Sequence, residues 1–70
     1  MNELEKILNS RRNKPVIVSI FYEQKSEDIN GVLRDFNSDF IKLECNDEKL
    51  VRVINRNACV LLMVSWKEEG

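Results

Sequence analysis

Between Val16 and Tyr22 every position except Ser19 is apolar or aromatic, and most are β-branched or aromatic. Such a run reads as a strand buried over much of both faces. A different rhythm precedes it. Leu4, Ile7 and Leu8 fall on one face of a helix that opens with Asn2 as N-cap, Glu5 at capping-box spacing and Glu3 in the first turn, where the helix dipole favours negative charge. The apolar stripe is narrow, so this helix, over about residues 2–13, is expected to lie across a surface rather than enter a core. Pro15 is expected to end it, because the residue before a proline is pushed out of the α region.

Downstream, the polar run from Glu23 to Asp28 reads as a loop and Ile29 to Phe36 as a second strand. Gly31 inside that strand has no side chain to pack and marks a bend of the kind that curls a sheet. Asn37-Ser38-Asp39 carries turn chemistry, so Phe40 to Cys45 returns as a third strand with Ile41, Leu43 and Cys45 on one face. Asn46-Asp47-Glu48 predicts another turn, and Leu50 to Ile54 a fourth strand with Arg52 on the face opposite Val51 and Val53. After the polar turn Asn55-Arg56-Asn57, Ala58 to Val64 is an uninterrupted apolar strand. One helix and five antiparallel strands predict a mainly β, single-domain chain over residues 1–70. In it a strongly bent SH3-like small barrel occupies about residues 15–65, followed by a short tail at 66–70.

Size changes the picture. A chain of 70 residues has a marginal core unless disulfides, metals or other copies support it. Cys45 and Cys59 sit in apolar runs without C-x-x-C spacing and there is no histidine, so neither a zinc site nor a cofactor is expected. Oligomerisation remains. In a lone barrel the last strand would leave either Cys59, Leu61 and Met63 or Ala58, Val60, Leu62 and Val64 near solvent, and pairing its edge with a second copy head-to-tail removes that hazard by closing a ring. With no nucleophile–base pair in view the chain is not expected to be an enzyme. With no signal peptide or membrane-length apolar segment it is expected to be cytoplasmic, with no membrane partner. The formal net charge of −1 argues against coating nucleic acid through bulk electrostatics, yet Arg11, Arg12 and Lys14 form a compact cation cluster that a ring would repeat into a basic band. The plainer reading of that cluster is a solvated helix end.

Three segments together resemble the Sm/Lsm family, and within it the bacterial Hfq-type branch. Arg11-Arg12-Asn13-Lys14-Pro15-Val16 is similar to that branch's arginine-rich rim and the Pro-Val start of its first strand. Gly31-Val32-Leu33-Arg34-Asp35-Phe36 resembles the first Sm motif, and Arg56-Asn57-Ala58 stands where the branch carries Lys-His-Ala. Phe36-Asn37-Ser38-Asp39-Phe40 is one residue longer than the family's Phe-Asp-x-Phe, and Asn57 replaces its histidine. The resemblance implies a homo-oligomeric ring, a hexamer, that binds uridine-rich or A/U-rich single-stranded RNA as an RNA chaperone or post-transcriptional regulator. It implies stacking of bases on Phe40 beside Ser38 and Asp39, phosphate or carbonyl contacts from Arg56, and base-edge or ribose contacts from Asn57. Arg11, Arg12 and Lys14 would touch the RNA body at the rim, Phe21 or Tyr22 would face the opposite side, and Trp66 would be a packing lid or subunit contact. For Phe40 a core position, and for Asn57 plain turn chemistry, are the alternatives, and a structural or protein-interaction module is the rival function.

Overall fold

The computed structural model describes residues 2–45 and 50–67. Helix α1 spans Glu3–Ser10, and the Asn2 side-chain oxygen accepts the Glu5 backbone N–H at 2.8 Å. That bond satisfies one of the donors a helix start leaves orphaned, an interaction worth about 1 kcal/mol. The helix stops well short of Pro15. Arg11 N–H closes onto the Ile7 and Leu8 carbonyls, and Asn13 takes a left-handed conformation (φ 65°) from which its N–H reaches the Leu33 carbonyl at 2.6 Å. Asparagine tolerates that conformation, so Asn13 rather than the proline turns the chain. The narrow stripe also goes deeper than expected: Leu8 is fully buried and Leu4 packs against the same cluster.

Five strands follow: β1 (Pro15–Phe21), β2 (Ser26–Phe36), β3 (Phe40–Cys45), β4 (Leu50–Asn55) and β5 (Leu61–Ser65). They form one antiparallel sheet in the order β4-β3-β2-β1-β5. The expected barrel does not close, because β4 and β5 lie at opposite edges of the sheet and pair with no strand beyond β3 and β1. Curvature is nonetheless strong. The first half of β2 pairs with β1 and the second half with β3, and Arg52 on β4 reaches Glu27 on β2 at 3.1 Å although those strands are not neighbours. β2 begins earlier than its polar composition suggests, since Ser26, Glu27 and Asp28 pair with Phe21, Ile20 and Ser19.

Gly31 acts by close approach. A Cβ there would stand 2.9 Å from the Glu44 carbonyl oxygen and 3.2 Å from the Leu43 Cβ, so only glycine lets β3 draw this near β2. The register irregularity lies further on, between Leu33 and Asp35, where Arg34 is the extra residue of a bulge. Alternation puts Val16, Val18 and Ile20 of β1 and Ile41, Leu43 and Cys45 of β3 into the core with Leu8, Ile29, Leu33 and Ile54. Each buried aliphatic side chain contributes about 1.5–3 kcal/mol relative to exposure.

The last strand starts at Leu61, not Ala58. Ala58 N–H donates to the Asn55 carbonyl at 3.3 Å and so belongs to the turn, while Val60 N–H is already bonded to the Phe21 carbonyl at 2.8 Å. Leu62 and Val64 pack against the core; Leu61 and Met63 are exposed. On the other edge Leu50, Val51 and Val53 are exposed as well. The expected turn at Asn46-Asp47-Glu48 lies outside the described residues, as does the end of the tail. Among the described residues no helix is long and apolar enough to cross a membrane.

Candidate nucleic-acid interface

Two turns distant in sequence form one hydrogen-bonded unit at the end of the sheet where β3 begins and β4 finishes. The Asn37 side-chain oxygen accepts the N–H groups of Asp39 (2.7 Å) and Phe40 (2.9 Å), an Asx turn that sets the geometry of the first. The second turn docks on it: Arg56 N–H donates to the Asp39 carbonyl at 2.9 Å, and the Asn57 side-chain amide donates to the Asp39 carboxylate at 3.2 Å. Asn55 in turn accepts the Asn57 N–H at 2.9 Å and pairs in register with Phe40. Phe40 is half-buried and shares a face of β3 with Lys42 and Glu44, opposite the buried Ile41, Leu43 and Cys45. That placement favours a surface role for the ring over a core role. Ser38, Asp39 and Asn57 are exposed beside it.

Arg56 is the most enclosed cation of this unit. Its guanidinium donates from Nη1 to the Asn37 carbonyl and from Nη2 to the Glu5 carboxylate on α1, and the two side chains are only 12% and 27% exposed. The group expected to meet phosphate is thus already held by a carbonyl and a carboxylate of its own chain.

The cation cluster after α1 fans out rather than forming a compact patch. Arg11 donates from Nη2 to the Pro15 carbonyl at 2.8 Å and lies 4.9 Å from the centre of the Trp66 ring. Its Nε is buried with no hydrogen-bond partner among the described residues. Arg12 turns the other way, 3.2 Å from Asp35 and 4.6 Å over the Phe36 ring. The Phe36 backbone N–H and the Arg12 guanidinium hold the Asp35 carboxyl below its usual range. Lys14 is exposed. Neighbouring Arg34, on the bulge, pairs with Glu44 at 2.6 Å and with the Asn13 side chain at 3.1 Å.

On the side of the β1–β2 loop, Tyr22, Lys25 and Cys59 line an open depression of about 530 Å³, with the Lys25 ammonium 5.3 Å from the Tyr22 ring centre. Tyr22 also packs on the core, whereas Phe21 lies at the β1–β5 seam opposite Leu61. Cys45 and Cys59 are free thiols, and among the described residues no three metal-ligating side chains converge.

The structure therefore brings Ser38, Asp39, Phe40, Arg56 and Asn57 together and sends Arg11 and Arg12 to separate neighbours. Sequence reasoning missed Glu5 as the partner of Arg56, having given it only a capping role, and Asp35 as the partner of Arg12. The Asx position of Asn37 was the one such signal visible locally. Compared with family models, curated proteins and solved structures, the chain matches none.

Proposed function

We propose that this chain is an Sm-like protein of the Hfq type: a cytoplasmic, ring-forming RNA chaperone or post-transcriptional regulator that binds uridine-rich or A/U-rich single-stranded RNA. The observation that carries the reading is the pair of open edges. Leu50, Val51 and Val53 on β4 and Leu61 and Met63 on β5 are exposed on strands whose outer edges have no partner strand among the described residues. A β5 edge laid on the β4 edge of the next copy covers both, and repetition of that head-to-tail contact closes a ring. The sixfold ring comes from the family resemblance.

Because the Asn37–Phe40 and Arg56–Asn57 turns sit at the end of the β4 edge strand, such a ring repeats them around its axis. One base stacked on each Phe40 contributes about 1 to 3 kcal/mol, and several sites on one strand act together through high effective concentration. Filter binding of a labelled oligo-uridine, alongside the solution mass of the chain, tests this. The expected result is a multiple of the protomer mass, affinity that falls steeply with salt, and clear weakening in a Phe40→Ala/Arg56→Ala variant. A monomer that ignores oligo-uridine at low salt refutes it.

One observation favours a protein-interaction module instead. Arg12, Arg34, Arg52 and Arg56 are all engaged in ion pairs within the chain, which leaves less free positive charge for a phosphate backbone than the sequence suggests. A ring that assembles but shows no salt-dependent RNA binding supports that second reading.

A further inference from the structure

The Glu5 carboxylate occupies the Arg56 guanidinium, the group to which the RNA reading gives a phosphate. Its carboxylate accepts from Nη2 of Arg56, the cation at the centre of the two-turn unit, and a guanidinium fork receives carboxylate and phosphate oxygens in the same manner. The Asn37 carbonyl fixes the other arm of the fork, so the guanidinium is held in place whichever anion it faces. The Asn2 cap bonds to the Glu5 backbone N–H, so that bond is kept when the Glu5 side chain, a quarter exposed, leaves Arg56.

We propose that Glu5 is a displaceable internal anion, and that Arg56 donates to a phosphate oxygen only in exchange for the Glu5 carboxylate. This rests on the RNA reading for the identity of the ligand. Its consequence is selectivity. A single phosphate cannot outcompete a tethered carboxylate at high effective concentration, whereas a strand that engages several copies at once displaces their carboxylates together. Glu5 thus discriminates against short strands and free phosphate.

The test compares the native chain with Glu5→Gln, which removes the charge, and Glu5→Asp, which keeps the charge but withdraws it from Arg56. Glu3→Gln is the control: it removes the same charge from the same turn of α1 at an exposed residue that pairs with Lys6 at 3.9 Å rather than with Arg56. Two readouts are used, filter binding of short and long oligo-uridines, and the Arg56 side-chain N–H resonance titrated with inorganic phosphate. Both Glu5 variants are expected to bind the short oligo-uridine about three- to tenfold more tightly than the native chain, with a smaller gain for the long one, while Glu3→Gln changes affinity by less than about twofold. Phosphate is expected to shift the Arg56 resonance in Glu5→Gln at concentrations that leave the native chain unchanged.

If the Glu5 variants bind no better than Glu3→Gln while the native chain binds oligo-uridine in a Phe40-dependent way, the exchange is wrong and the RNA site stands. If phosphate moves Arg56 in Glu5→Gln but no variant binds oligo-uridine, the exchange stands and the RNA reading falls. If neither oligo-uridine nor phosphate touches Arg56 in any variant, both fall.

Discussion

Replacing Gly31 with alanine adds one methyl group at the tightest contact between β2 and β3. Its Cβ meets the Glu44 carbonyl oxygen at 2.9 Å and the Leu43 Cβ at 3.2 Å. The first is backbone and the second belongs to a fully buried residue, so neither yields without opening the β2–β3 ladder. Alanine restricts the unfolded chain and on that ground alone stabilises by about 0.4–1 kcal/mol. Overpacking a well-fitted site costs about 1–3 kcal/mol. The clash wins, and the expected net loss is about 1–2 kcal/mol, a fall of about 5–15 °C in Tm for a domain of this size. Far-UV circular dichroism during thermal and urea unfolding measures it, at one fixed protein concentration because assembly itself shifts the midpoint. Asn30→Ala, at the exposed position next door, is expected to stay within about 0.5 kcal/mol of the native chain. A Gly31→Ala chain that melts at or above the native temperature refutes the claim that close strand approach dictates glycine here.

Two further outcomes follow from the geometry. Leu61→Lys with Met63→Glu places charge on the exposed side of β5 without touching the core, so the chain is expected to keep its circular dichroism and run at the 8.2 kDa of one protomer, while the native chain runs at a multiple of it; light scattering after size exclusion decides, and a native monomer at micromolar concentration overturns the edge-pairing scheme. Asp35 is held below its ordinary pKa of 3.8 chiefly by the Phe36 N–H and then by Arg12, so the folded state favours its charged form. Its contribution is complete above the unfolded value and is lost as pH falls through the lower folded one. Denaturant midpoints measured from pH 6 down to 2 are therefore expected to drop less below pH 4 for Asp35→Asn than for the native chain, and identical slopes would remove the role of this pair.

Local signals carried what depends on neighbours in sequence. Asn2 caps α1, Phe40 to Cys45 alternates as a strand with Ile41, Leu43 and Cys45 inward, and Asn37-Ser38-Asp39 turns the chain, because each is decided within a few residues. The errors fall where a distant partner decides. Ser26 to Asp28 looked like loop because they are polar, yet β1 recruits them into a ladder. Ala58 to Val60 looked like strand because they are apolar, yet Ala58 is tied to Asn55 and the ladder starts only at Leu61. Arg11 to Asn13 looked like helix leading to a proline, but the Asn13 N–H found the Leu33 carbonyl across the fold. The site divides in the same way. No pattern of neighbouring residues joins the Asp39 and Arg56 turns, and the Glu5–Arg56 pair left no trace in residue spacing because 51 residues separate the two.

The chain's one indole sits at a useful boundary. Trp66 follows β5 directly, is 38% exposed, and carries the Arg11 guanidinium against its ring. Its emission is expected to be that of a half-wetted indole beside a cation, and to shift toward the blue when another copy dries the β5 edge. A single intrinsic chromophore thus reports subunit association in one cuvette, with no label attached.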